Sequence, residues 1–104
     1  MAPKRHKELA GQDIYYSGWG GYKIPFAPQG PISKEEAEQR TSYYVGHYDA
    51  DGNLVRFDKY LDGSLEWTDE YVYWDNGRIK ERVMLKGDGS QTVQRFDEKG
   101  RMRE

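Results

Sequence analysis

The sequence predicts a mainly β protein: an antiparallel meander of Asp-Gly and Asn-Gly hairpins with one short helix. Three observations point there. Asp or Asn precedes Gly at 51–52, 62–63, 76–77 and 88–89, and Lys99-Gly100 adds a further turn. Apolar and polar residues alternate between those turns, the period of a strand with one buried face. Only "SKEEAEQR", residues 33–40, carries helix-terminus signals.

Composition sets the limits of this fold. The chain has 104 residues, enough for one domain with a modest core. Ile, Leu, Val and Phe supply only 17 of them, a share low enough to raise the question of disorder. The net charge of −2, with 9 Tyr and 3 Trp, argues for folding, since aromatic rings replace the missing aliphatic area. Cys is absent, so no disulfide supports a thin core. No apolar run approaches the roughly 18 residues of a membrane span, and the start, "MAPKRHKELAGQD", has no apolar segment of a secretory signal. A cytoplasmic location is therefore expected, with no membrane partner. Residues 1–47 carry 6 Lys/Arg against 5 Asp/Glu, and the remainder 10 against 13. Neither part is a phosphate-neutralising patch, so nucleic acid is not an expected partner.

Along the chain, residues 1–13 read as a loose polar N-terminus and 14–104 as a single β-meander domain. Residues 14–32, "IYYSGWGGYKIPFAPQGPI", mix aromatics with Gly and Pro. They predict an ordered, irregular segment packed across one face of the sheet, opening with a short strand at Ile14–Ser17. Residues 33–41 predict a short surface helix, with Ser33 as N-cap, Glu36 as capping-box partner, and Ile32 and Ala37 at the staple positions. From residue 42 the period becomes two, and hairpin repeats of five or six strands follow. Val55, Phe57 and Leu61 align, interrupted by Lys59. Leu65, Trp67, Tyr71 and Tyr73 share a face, interrupted by Asp69. Ile79, Glu81, Val83 and Leu85 form another face. Trp67 and Trp74 fall on opposite faces of a regular strand.

The dipeptides imply type I′ turns, whose two central residues both need positive φ. "YDADGNL" and "FDEKGRM" fit a longer turn that ends in a Gly at a bulge position. A longer period is also present. "YDADGNL" (48–54), "YWDNGRI" (73–79) and "FDEKGRM" (96–102) share aromatic-x-x-x-Gly-x-apolar, and "LDGSLEWT" (61–68) corresponds to "KGDGSQTV" (86–93). A unit of two strands and two turns thus recurs, as in repeat architectures.

Over residues 44–104 these units resemble YD-type (Rhs-like) repeats and MORN-variant repeats, in which short hairpins stack into an extended sheet. The order of parts over about residues 15–79 also resembles a family of small uncharacterised bacterial proteins. That resemblance implies a bacterial cytoplasmic origin and brings no catalytic residue with it.

Most chemistries lack their residues. A nucleophile needs an adjacent base, and the only histidines are His6 and His47, with nothing local to activate; no catalytic residue is expected. "DADGN" opens like a calcium loop, but Leu54 and Tyr60 stand where an EF-hand needs Gly and Glu. Glu66, Asp69 and Glu70 do not converge as a glycosidase pair. "SGWGGYK" lacks the Gly-x-Gly-x-x-Gly spacing for a dinucleotide. No metal or cofactor is expected.

What remains is aromatic surface. Tyr15, Tyr16, Trp19, Tyr22, His47, Trp67 and Trp74 are the candidate ligand- or partner-binding residues, and Tyr43 adds to the aromatic excess. A single sheet leaves edges and a face exposed, so the expected function is a non-enzymatic protein-interaction module of antitoxin or immunity type. Its partner is another protein or a second copy through the exposed sheet. The alternative is a sugar- or peptide-binding protein whose pocket contains Trp19 and His47.

Overall fold

A computed structural model of the chain describes residues 7–20 and 25–103. It forms one eight-stranded antiparallel sheet in the order β2-β1-β3-β4-β5-β6-β7-β8. The strands are β1 (Asp13–Gly20), β2 (Ala27–Ile32), β3 (Ser42–Tyr48), β4 (Leu54–Leu61), β5 (Ser64–Tyr73), β6 (Ile79–Lys86), β7 (Gln91–Phe96) and β8 (Met102–Arg103). A 3-10 turn at Lys7–Leu9 precedes β1, and α1 (Lys34–Glu38) joins β2 to β3. From β3 onward each strand pairs with the next, the expected meander.

The strand count exceeds the five or six read from sequence because most of the described part of residues 14–32 is strand rather than irregular. They contain β1 and β2, paired from Tyr15↔Ile32 to Gly20↔Ala27. Pro28 and Pro31 hid β2 from a propensity reading. Proline offers no N–H to a ladder, and β2 tolerates it because it is an edge strand. Within the polar N-terminus, Leu9 packs on the core and Gly11 N–H bonds the Asp49 carbonyl, so the described part of residues 7–13 is tied down.

Helix α1 ends earlier than expected, at Glu38. Its N-cap is as read: Ser33 Oγ accepts the Glu36 N–H at 3.1 Å. Ala37, the one apolar residue of the helix, is fully buried where α1 meets β1 and β3.

Pairing fixes which residues share a face. The inner face carries Tyr16, Tyr48, Leu54, Phe57, Tyr71 and Ile79 as its buried cluster, with Tyr44, Trp67, Tyr73 and Phe96 packed against it. Tyr44 and Phe57 rings stack at 5.5 Å, and the Tyr16 and Tyr48 hydroxyls hydrogen-bond at 2.7 Å. Gly46 lies beneath them. A Cβ there would stand 3.1 Å from the Tyr16 ring and 3.3 Å from both Leu54 and Tyr48, so a side chain would push these neighbours aside by a few tenths of an ångström.

Register shifts correct three face assignments. The shift between His47 and Tyr48 leaves Val55 as the extra residue of β4, outside the Phe57 row. The shift between Lys59 and Tyr60 makes Glu66 extra and separates Leu65 from Trp67. The shift between Val72 and Tyr73 makes Lys80 extra, so Ile79 joins the core while Val83 and Leu85 face outward. One inserted residue reverses every side chain beyond it, and alternation counted along a single strand cannot register that.

The turns are also sharper findings than the dipeptides. Asp62 and Gly63, at φ 50° and 79°, form the two-residue type I′ turn. Asn76-Gly77 and Asp88-Gly89 do not. In each only Gly has positive φ, its N–H bonds the carbonyl three residues back, and a second bond closes the loop, Trp74 N–H to Arg78 O and Lys86 N–H to Ser90 O. These share the geometry of the Asp49–Asn53 and Asp97–Arg101 turns. The Asn76 Oδ1 accepts the Arg78 N–H at 2.9 Å, and this side-chain bond favours the longer form.

The β1–β2 hairpin bends over the inner face. In a flat sheet β2 would lie about 19 Å from β5. Yet Phe26, the residue before β2, has its ring centroid 5.9 Å from those of Phe57 and Trp67. Its N–H also meets the Tyr71 hydroxyl at 3.3 Å.

Candidate functional site

The overhanging Phe26 and strands β5 and β6 enclose an open cleft of about 560 Å³. Trp67, Asp69, Arg82, Met84 and Lys86 line it from the inner face, and Leu65, Glu66 and the Gly87–Asp88 turn complete it. The floor is set by pairing: Trp67 lies opposite Lys86, and Asp69 opposite Met84.

Its charges are largely compensated. Asp69 is buried, and its Oδ2 accepts from Arg82 Nε and a second guanidinium nitrogen at 2.9 Å each, and from the Tyr71 hydroxyl at 3.0 Å. Burial, then the Asp69 charge, pushes the Tyr71 hydroxyl far above the usual phenol range, so it stays protonated and donates. Phe26 covers the guanidinium at 5.3 Å from ring centroid to Cζ. Glu66 meets Lys59 at 3.5 Å through Oε1, while its Oε2 is buried with no hydrogen-bond partner.

The outer face holds a second polar cluster. His47 Nδ1 lies 2.8 Å from Asp13 Oδ1, and Nε2 lies 2.8 Å from Asp58 Oδ2. Both partners are carboxylates, so both ring nitrogens donate only in the imidazolium form. The Asp58 hydrogen bond accordingly raises the His47 pKa, with burial opposing and Asp13 assisting. Asp58 is buried, and burial alone would raise its carboxyl. Bonds from His47, Arg56 at 2.9 Å and Thr68 at 2.8 Å outweigh that and hold it below the usual carboxylate range. Both histidine nitrogens are committed to these bonds, an arrangement that fixes strands β1, β3 and β4 to one another.

The sequence-derived candidates disperse over this framework. Trp67 lines the cleft. Trp19 stacks on Phe26 at 4.4 Å and supports the cleft wall from behind. Tyr16 is core. Tyr15 contacts Tyr43 at 5.9 Å, and Tyr43 stacks on Tyr60 at 5.0 Å with planes 7° apart. His47 lies on the outer face, opposite the cleft, so it does not share a pocket with Trp19. Trp74 sits in the turn after β5, with Lys80 over its ring at 4.8 Å and its Nε1 donating to the Phe96 carbonyl at 3.2 Å. Tyr22 lies outside the described residues. Phe26, Asp69, Arg82 and Met84 escaped the sequence reading. The signal for two of them was Asp69 interrupting one apolar row and Arg82 standing in the facing strand, a charge pair on an otherwise aromatic surface.

Among the described residues no group of His, Asp and Glu is arranged to hold a metal ion, and no helix is long and apolar enough to cross a membrane. The model of a family described as "Family of unknown function (DUF6156)" matches residues 8–104, and the chain belongs to that family. No curated protein and no solved structure matches it.

Proposed function

We propose that this member of the DUF6156 family is a non-enzymatic protein-interaction module, acting in the bacterial cytoplasm in an antitoxin- or immunity-like role. The Phe26–Trp67–Met84 cleft receives a side chain of the partner. The observation that carries this reading is a preformed, mostly apolar cleft whose carboxylate Asp69 is already neutralised by Arg82. An apolar anchor seated over the Asp69–Arg82 pair leaves neither of these two charges without its partner, a condition that favours a pocket becoming an interface hot spot. The size falls within the range of ordinary binding pockets.

The test is tagged co-purification from the native host with the chain and its Met84→Glu variant, each checked for an unchanged melting temperature. A stoichiometric protein retained by the chain and lost by the variant is expected. Retention by both would exclude the cleft as the contact. A second reading, binding of a small sugar- or peptide-like ligand, is favoured by one feature: the Trp67 ring stands in the cleft beside polar groups of Asp69 and Arg82, an apolar wall with a few polar groups at hand. Native mass spectrometry of the freshly purified chain distinguishes it, since a bound small molecule would appear in place of a protein.

A further inference from the structure

The two edges of the sheet are guarded differently. Edge strand β2 contains Pro28 and Pro31, with Gly30 at φ 70° between them, devices that block strand addition. At the other edge β8 pairs only with Arg95 and Phe96 of β7. Among the described residues nothing pairs with the outer side of Gln91–Gln94.

Bonds on either side fix the direction of the backbone groups there. Lys86 N–H donates to Ser90 O, so Ser90, Thr92 and Gln94 direct theirs toward β6. Asp97 N–H donates to Arg101 O, so Asp97, Arg95, Val93 and Gln91 direct theirs outward. Gln91 and Val93 therefore present free N–H and C=O groups, and Val93 is 37% exposed. No proline, charge or bulge protects the stretch Gln91-Thr92-Val93-Gln94.

We infer that this edge is a self-association surface, on which the β7 strands of two copies pair antiparallel about a two-fold axis and join two sheets into one. The register follows from the outward groups. Gln91 pairs with the second copy's Val93 and Val93 with its Gln91, while Thr92 meets Thr92 at the axis. Placing Val93 opposite Val93 instead sets Gln91 against the second copy's Arg95, whose outward groups β8 already occupies. In the favoured register every directly opposed residue of Gln91–Gln94 is uncharged, and a Thr–Thr pair is stabilising across strands. Beyond the ladder, each exposed Arg95 lies near the other copy's Lys86–Gly89 turn, whose Lys86 and Asp88 together carry no net charge, so no like-charge block opposes the pairing. A contact this short is below the size of a permanent interface, so the dimer is concentration-dependent.

Sedimentation velocity over a concentration series, paired with amide hydrogen exchange, tests this. Dimerisation is expected, with the Gln91 and Val93 amides gaining protection as dimer forms while Thr92 and Gln94, already bonded to β6, change little. Thr92→Lys puts two like charges face to face at an exposed site and raises the dissociation constant about tenfold. Val93→Pro removes an outward N–H without touching the β6 ladder and abolishes dimerisation. A chain that stays monomeric at every concentration overturns the proposal. So does a dimer that ignores Thr92→Lys or leaves the Gln91 and Val93 amides unprotected.

Discussion

Asp58 and Asp69 are two buried carboxylates in adjacent strands, one on each face of the same sheet. Each accepts three hydrogen bonds, yet their partners differ in kind. Asp69 is held by Arg82, whose charge is permanent at accessible pH, beneath the ring of Phe26. Asp58 is held on one side by Arg56 and on the other by His47, whose pKa its carboxylate partners raise but whose charge is still lost at high pH. The inner cluster is therefore a fixed part of the cleft, whereas the outer one ties β1, β3 and β4 together with a strength that depends on pH.

Four substitutions separate the two faces. Phe57→Ala removes a fully buried ring in contact with Phe26, Tyr44 and Trp67. It should cost about 4 kcal/mol in urea denaturation, the largest effect. Arg82→Met keeps much of the side-chain volume but strands the buried Asp69, and about 3 kcal/mol of destabilisation is expected in the same assay. If Asp69→Asn added to Arg82→Met restored none of that loss, an uncompensated buried charge would not be its cause.

His47→Gln should cost about 1 kcal/mol, and only over a defined range of pH. The folded His47 pKa is raised above the ordinary histidine value of 6.5, so its contribution is complete below that value and fades as pH rises through the higher folded one. The folded Asp58 pKa is lowered below 3.8, so its contribution is complete above 3.8 and fades as pH falls through the lower folded one. The chain and the variant should thus differ most between about pH 4 and 6.5 and converge in alkali. A difference constant up to pH 10 would show that His47 acts by packing. Val72→Thr, on the outer face and 48% exposed, should change stability by less than about 0.5 kcal/mol.

The legible part of the fold was the part set by local chemistry. Turn glycines, the Ser33 cap and the antiparallel meander each depend on neighbours a few residues away. The illegible part came from insertions and from distance. Val55, Glu66 and Lys80 are single extra residues that rotate a strand by one position, and nothing in their identity marks them as bulges. The cleft depends on Phe26 meeting Trp67 and Arg82, contacts that exist only because a proline-containing edge strand returns beside β1. Trp67 was legible as a candidate because an aromatic surplus has to go somewhere. His47 was legible as unusual, but its two carboxylate partners come from β1 and β4, and sequence spacing says nothing of them.

The repeat has its own structural meaning. Tyr48, Tyr73 and Phe96, with Leu54, Ile79 and Met102, occupy equivalent places at one end of the sheet. Successive turns are bonded to one another: Tyr73 hydroxyl to Leu54 O, Asn76 Nδ2 to Glu98 O, and Arg78 to the Lys99 carbonyl. At the opposite end the match fails, since Asp62-Gly63 and Asp88-Gly89 close by different turns.

Because every ladder from β3 to β8 joins strands adjacent in sequence, each hairpin unit depends on its immediate neighbours and little else. Such a chain can be lengthened or shortened by whole hairpins without redesigning the remainder, as in solenoids whose stability is a sum of nearest-neighbour terms. The β1–β2 hairpin is the exception, since Phe26 spans several units at once. Evolution is therefore free to vary the number of hairpins at the β8 end, while the end that builds the cleft has to be inherited whole.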